Sequence, residues 1–128
     1  MKRTAAQFGL NEDRWATAKH QVRTAILGAA YDRRMTWHGE IANQVDAITL
    51  DPNSSLMNGL LGAVFEDEYA AGGPALTSIV TVNYGDREPG SAFYNDARTL
   101  GYRFTEPHMF WTDEVQKVFA EHGRQDRR

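Results

Sequence analysis

A short loop near the middle of the sequence contains the residues best suited to bind a ligand. Residues 85–91 follow an aliphatic segment and lead into a predicted helix. Arg87 supplies a guanidinium, and the backbone amides of Ser91, Ala92 and Phe93 are free at the predicted start of that helix, directly after Gly90. The sequence therefore predicts an anion-binding site at Arg87, Gly90 and Ser91. An ordinary turn with Ser91 as a helix cap explains the same residues, and this alternative stays open.

Carboxylates and histidines give two further predictions. Glu66, Asp67 and Glu68 are consecutive, and at most two of three consecutive helical side chains can converge. We expect an acidic helix end with room for an arginine from elsewhere in the fold. The four histidines are never three or four residues apart, so we predict no metal site.

Several classes of function are excluded or disfavoured by what the sequence lacks. It has no cysteine, which excludes disulfides, thiolate metal sites and cysteine nucleophiles. It has no phosphate-binding loop of the nucleotide-hydrolase type, no Gly-x-Ser-x-Gly and no His-Glu-x-x-His. We therefore expect no cofactor and no catalytic residues, and we favour a non-enzymatic protein. The formal net charge of −3 disfavours a dedicated nucleic-acid binder, although a local basic patch is compatible with it.

The same bulk properties suggest a cellular location. The absence of cysteine fits a reducing compartment. The longest uncharged apolar stretch, residues 76–84, is far shorter than the roughly 20 residues that span a bilayer. We expect a cytoplasmic protein with no membrane partner.

Helical periodicity dominates the sequence and predicts an α+β fold that is mostly helical. Helices are predicted at residues 12–33, 37–45, 52–69, 91–100 and 112–122. Residues 76–84 predict one strong strand, and residues 47–50 and 102–104 predict short ones. The strong strand must pair with a short one or with a second copy of the chain, so a homodimer is one expectation. We predict a single globular domain at residues 11–122, between flexible ends at 1–10 and 123–128.

Two segments resemble known groups of proteins. Residues 36–42, Thr-Trp-His-Gly-Glu-Ile-Ala, resemble the start of the winged-helix domain in alkyltransferase-like DNA proteins. His38 is an insertion relative to that pattern, and the Pro-Cys-His-Arg motif of the family is absent. The resemblance implies a two-helix unit without alkyl transfer. Residues 76–101 resemble a group of small uncharacterised bacterial proteins, with an aliphatic strand, a Pro-Gly turn and a helix ending in Leu-Gly.

The two-helix unit, at residues 37–45 and 52–69, predicts a helix–turn–helix or winged-helix-like core. In such a core the second helix enters the major groove of DNA. That helix has no lysine or arginine here, so the predicted contacts to bases and phosphates are polar, with positive charge supplied by the end of the first helix. The predicted DNA-binding residues are Arg33, Arg34, Asn53, Ser54, Ser55 and Asn58.

Three functions remain open at this point. The first is a small regulatory module that binds double-stranded DNA. The second is a protein–protein interaction module with Trp37, Phe110 and Trp111 as candidate anchors. The third is a small-anion-binding protein or an enzyme that uses the loop at residues 87–91. For this third function the acid–base helpers would be His38, Glu40 and His108.

Overall fold

The computed structural model describes residues 3–125 and confirms the α+β, mostly helical class. Five helices and a two-stranded parallel sheet form the described part of the chain. The helices are α1 (Glu12–Tyr31), α2 (His38–Asn43), α3 (Ser55–Ala70), α4 (Ser91–Leu100) and α5 (Pro107–His122). The strands are β1 (Thr36–Trp37) and β2 (Val80–Thr81), and short 3-10 turns occupy Ala5–Phe8 and Leu76–Ile79.

The helix starts depend on local caps, and only some were predicted correctly. Helix α1 begins at residue 12 as predicted, and Asn11 caps it, because the Asn11 side chain accepts a hydrogen bond from the Arg14 amide at 2.8 Å. The start of α3 was predicted at Pro52, but the Ser54 hydroxyl is the cap, and it accepts from the Met57 amide. The start of α5 lies at Pro107 rather than at Thr112, since proline is well suited to the first helical turn.

The predicted strand at residues 76–84 is wrong over most of its length. Residues 76–79 form a buried 3-10 turn, and only Val80 and Thr81 are in a strand. The indole of Trp111 donates to the Ser78 carbonyl at 2.8 Å, which gives this carbonyl a partner outside any sheet.

The pairing of that strand also differs from each predicted arrangement. Thr36 lies opposite Val80 and Trp37 opposite Thr81, in parallel register. Trp37 was expected to begin a helix, and residues 47–50 and 102–104, the predicted partners, contain no strand. Because α2 begins directly after Trp37, β1 offers only two residues for pairing.

Helix α3 lies at the centre of the fold, with nine of its residues buried from Met57 to Glu68. It packs between α1 and the 3-10 turn at residues 76–79 in the main core. A second, smaller cluster contains Phe65, Ala75, Phe93 and Ala97 and is surrounded by aromatic side chains of α4, α5 and the segment between them. Phe65 of α3 stacks on Phe93 of α4 with ring centroids 5.4 Å apart.

The described part of the predicted flexible ends makes contacts with the domain. Ala5 is 1% exposed, and the Phe8 ring stacks on Trp15 with centroids 5.5 Å apart. At the other end, the Arg124 amide donates to the Tyr31 carbonyl at 2.9 Å. Residues 1, 2 and 126–128, which belong to the same predicted ends, lie outside the described residues.

The three consecutive carboxylates of α3 each have a basic partner, in line with the expected room for an arginine. These partners come from the N-terminal segment and from α1, so the pairs connect α3 to both. The pairs are Glu66 with Arg3 (3.3 Å), Asp67 with Lys19 (2.8 Å) and Glu68 with Arg23. Arg3 also pairs with Asp96 of α4 at 2.7 Å.

Within residues 3–125, no helix combines the length and the apolar character needed to cross a bilayer.

Two helical glycines provide a direct test of the packing. A methyl group at Gly28 meets nothing within 4 Å, so Gly28→Ala gains helix propensity and stabilises the domain by about 0.5–1 kcal/mol. A methyl group at Gly59 overlaps the Phe8 ring, so Gly59→Ala displaces Phe8 from Trp15 and destabilises the domain. Chemical denaturation of both variants measures whether each substitution raises or lowers the free energy of unfolding. Equal stabilisation by both substitutions would contradict the packing of Phe8 against α3.

Candidate functional site

Both strands of the parallel sheet end at the same edge, and helices begin beside that edge. β1 ends at Trp37, and α2 begins at the next residue, His38. β2 ends at Thr81, and the chain then forms a loop that leads into α4 at Ser91. The carboxyl ends of parallel strands are where open α/β sheets bind their ligands. This edge is therefore a candidate position for a ligand-binding site.

A groove of about 210 Å³ opens at this edge, and we name it the His38 groove. It leads to an inner cavity of about 40 Å³, because five residues line both spaces. The inner cavity has room for only one or two water molecules. The His38 groove is lined by His38, Pro52, Asn53, Ser54, Asn58, Val82, Gly90, Ser91 and Ala92.

His38 is the most buried polar side chain of the groove, at 8% exposure. Its Nδ1 lies 3.1 Å from the Pro52 carbonyl oxygen, which can only accept a hydrogen bond, so Nδ1 carries the hydrogen. Nε2 makes no hydrogen bond within residues 3–125 and is not sealed from solvent. Burial lowers the pKa of His38, although the Pro52 hydrogen bond acts in the opposite direction. The ring is therefore neutral at pH 7, and its Nε2 is a solvent-accessible hydrogen-bond acceptor on a residue that lines the groove.

The N-termini of two long helices meet at the same groove. Gly90 is the N-cap of α4 and has no side chain to accept from the first turn, so the amides of Ser91 and Ala92 stay available. At α3, Ser54 caps the Met57 amide and Ser55 begins the helix. Each helix N-terminus has a partial positive charge of about half a unit. The two helix dipoles thus favour negative charge in the groove.

Charged side chains are nearly absent from the described lining of the His38 groove and of its inner cavity. Asp96 is the one charged residue among the described residues that line the groove and the inner cavity. Burial raises the pKa of Asp96, and the guanidinium of Arg3, 2.7 Å away, opposes that rise. Outside the groove, the Asp51 carboxylate accepts a hydrogen bond from the Asn53 amide at 2.8 Å. The positive electrostatic character of the groove therefore comes from backbone dipoles and amides rather than from basic side chains.

The residues predicted for anion binding are only partly brought together. Gly90 and Ser91 line the groove, whereas Arg87 lies in the exposed loop and does not line it. Arg87 makes no ion pair with any described residue. The predicted start of α4 at Ser91 is confirmed, but the cap is Gly90 rather than Ser91.

The residues predicted for DNA binding divide into two groups. Asn53, Ser54 and Asn58 line the His38 groove, and Ser55 is exposed beside it at the start of α3. The side chains of Asn53, Asn58 and Ser91 make no hydrogen bonds within the described part of the chain, so their polar groups are available to a ligand.

The two arginines predicted for DNA binding lie at the end of α1 and are engaged in contacts within the chain. Arg34 lies 2.7 Å from Glu40 and 3.8 Å from Asp32. Arg33 has a left-handed backbone conformation with φ 55°, and its Nε donates to the Arg124 carbonyl at 3.0 Å.

The predicted winged-helix core is not confirmed. Residues 44–54 separate α2 from α3, whereas a helix–turn–helix has a turn of roughly three or four residues. Helix α3, the expected recognition helix, is buried along most of its length. Its exposed polar residues are concentrated at its N-terminus.

The proposed acid–base helpers do not converge. The Glu40 carboxylate accepts from Arg34 at 2.7 Å and from the Thr36 hydroxyl at 2.6 Å. Burial raises its pKa, but these two hydrogen bonds outweigh burial and hold the pKa of Glu40 below its ordinary value. His108 is exposed on α5 beside Trp111. Only His38 belongs to the groove.

The aromatic residues predicted as protein-binding anchors are all half-buried. Trp37 contacts the exposed Tyr84 ring edge-on, with centroids 4.7 Å apart. Phe110 stacks on Phe104 in the second cluster, and Trp111 is held by its bond to Ser78. Their partial exposure leaves the prediction of a protein partner untested.

Comparisons with known proteins add no further information. No protein-family model matches the sequence, and no curated protein or solved structure matches it at a significant level. Within residues 3–125, no group of three or more histidine, aspartate or glutamate residues lies where it could hold a metal ion. The evidence for the candidate site therefore comes from the geometry of the groove.

The burial of His38 predicts a pH dependence of stability. Because the native state lowers the His38 pKa, the unfolded chain binds more protons at this residue below its ordinary pKa of about 6.5. The contribution of His38 to the free energy of unfolding is therefore fully present above about pH 6.5 and declines as the pH falls through the folded-state pKa.

His38→Asn is the matched variant, since its amide can still donate to Pro52 without titrating. Urea denaturation of both proteins from about pH 5 to about pH 8 gives the difference in the free energy of unfolding. We expect wild type to lose stability relative to the variant on acidification. A difference that is constant, or that moves the other way, would contradict a neutral buried imidazole.

Proposed function

We propose that the protein binds a small oxyanion in the His38 groove. The observation that carries this proposal is the meeting of the N-termini of α3 and α4 at one groove lined by His38, whose Nε2 has no hydrogen-bond partner within residues 3–125. Backbone amides and helix dipoles bind phosphate and carboxylate groups in this way without requiring basic side chains. The side chains of Asn58 and Ser91 add neutral hydrogen-bonding groups around the same space.

The size of the groove limits the ligand. A volume of about 210 Å³ is below the roughly 300–1,000 Å³ of pockets that hold drug-sized molecules. An inorganic oxyanion or a small carboxylate fits this volume, and a larger molecule would place only its anionic end there. The low exposure of His38 means that part of the wall is shielded from water, which strengthens the electrostatic attraction.

Ser91 provides the direct test. Ser91→Asp adds a carboxylate at the first helical position, where it is favourable for the helix but repels an anion in the groove. Ser91→Asn has nearly the same size without the charge. Calorimetric titration with inorganic phosphate at low ionic strength should show Ser91→Asp binding about tenfold more weakly than Ser91→Asn, a difference of about 1.4 kcal/mol.

The controls separate the groove from general electrostatics. Neither variant should melt below the wild-type temperature, because Ser91 is exposed and its side chain makes no bond with a described residue. Arg87→Ala removes the loop guanidinium, which lies outside the groove, and should change phosphate affinity less than Ser91→Asp does. Equal phosphate binding by the Asp and Asn variants, or none by wild type, would refute the proposal.

DNA binding remains a prediction from the sequence, with less geometric support. The exposed side chains of Asn53, Ser55 and Asn58 favour it, whereas the ion-paired Arg34 and the buried α3 do not. Duplex DNA in place of phosphate, at low and at moderate salt, gives the comparison, because phosphate-backbone binding weakens as salt rises. A protein partner, a homodimer and a cytoplasmic location also remain predictions.

A further inference from the structure

The hydrogen-bonding polarity of His38 restricts which oxyanion suits the groove. The Pro52 carbonyl fixes the hydrogen on Nδ1, so Nε2 of the neutral ring presents a lone pair and no hydrogen. An oxyanion without a proton presents only lone pairs to this atom, and the two would repel each other. An oxyanion with an O–H group can donate that hydrogen to Nε2 while its other oxygens accept from the amides of α4.

We propose that the His38 groove selects an oxyanion that carries an acidic hydrogen, such as hydrogen phosphate, over one that carries none, such as sulfate. This inference rests on the proposed function and specifies its ligand. The amides of Ser91 and Ala92 attract both anions, and His38 discriminates between them.

The carboxylates near His38 have hydrogen-bond or ion-pair partners other than His38. Asp96 of α4 lines the inner cavity beside His38 and is paired with Arg3. On α2, Glu40 is paired with Arg34. The Asp51 carboxylate, before α3, accepts from the Asn53 amide, and no described carboxylate forms a hydrogen bond with His38.

The charged residues of the loop before α4 are exposed. Asp86 accepts from the Asn83 amide at 3.0 Å, and Glu88 accepts from the Tyr94 hydroxyl at 3.0 Å. Neither residue lines the groove. A proton taken up with the ligand is therefore expected on the His38 ring rather than on a carboxylate of the groove.

This arrangement predicts opposite pH behaviour for the two anions. Sulfate binds only when His38 takes a proton from solvent, so its affinity should rise about tenfold for each unit of pH decrease above the His38 pKa, one proton being bound per sulfate. Inorganic phosphate retains at least one proton of its own between about pH 6 and about pH 8, so its affinity should change much less. At about pH 8 phosphate should bind at least tenfold more tightly than sulfate.

The experiment is calorimetric titration of the full chain with inorganic phosphate and with sulfate at about pH 6, 7 and 8, at constant ionic strength. His38→Asn retains the donor to Pro52 but removes the Nε2 acceptor, so it should bind both anions with similar affinity and weak pH dependence. His20→Asn, which changes an exposed histidine on α1, is the matched control and should behave as wild type.

The outcomes distinguish the two proposals. If wild type binds neither anion, the oxyanion-binding function itself fails. If wild type binds both equally at about pH 8, or if His38→Asn keeps the preference for phosphate, the groove binds oxyanions but His38 does not select them. A preference for phosphate that is lost in His38→Asn and kept in His20→Asn supports the inference.

Discussion

The parallel pairing of β1 with β2 is the constraint on which the rest of the structure depends. Only four residues take part, Thr36 and Trp37 with Val80 and Thr81. The Thr81 hydroxyl lies within hydrogen-bonding distance of the Thr36 and Asn83 carbonyls, at 3.3 and 2.9 Å, and so supports the pair from the side. Because the strands run in the same direction, the segments that follow them leave from one edge. The His38 groove lies between these segments, and its position follows from the parallel direction of the two strands.

The connection between the strands explains why α3 is so deeply buried. A parallel pair needs a long crossover, and here residues 38–79 provide it, with α2 and α3 inside it. Helix α3 returns the chain across the fold and packs on α1 and on the 3-10 turn before β2. Its carboxylates are then close enough to pair with Lys19 and Arg23 of α1. The first turn of α3, which is exposed at Ser55 and Asn58, lies beside the His38 groove.

The sequence was informative where local signals determine structure and less so where distant segments meet. The start of α1 at residue 12 and both ends of α4, at residues 91 and 100, depend on local signals and were predicted correctly. The β-branched run at residues 76–84 has strand propensity, but a strand also requires a partner, and β1 offers two residues. Tertiary packing therefore overrode propensity.

The candidate site shows the same limit. The polar residues at the start of α3 and at the start of α4 were predicted separately, for DNA and for an anion, yet they line one groove. As a functional residue, His38 was predicted only as an acid–base helper. Nothing in the spacing of residues 38, 58 and 91 signals that they meet, because the crossover brings them together. The one signal was the order of the elements, since a helix follows the segment that forms β1 and another follows the segment that forms β2.

The division of the interior into two clusters has a consequence for motion. Helix α4 is anchored mainly through Phe93 and Ala97 in the smaller aromatic cluster, whereas α1 and most of α3 belong to the main core. A unit with its own small core can open at a lower free energy than the whole domain. Opening of α4 would remove the Gly90 and Ser91 wall while His38 and Asn58 stay in place. A bound anion would therefore oppose this opening and slow hydrogen exchange in α4 more than in α1.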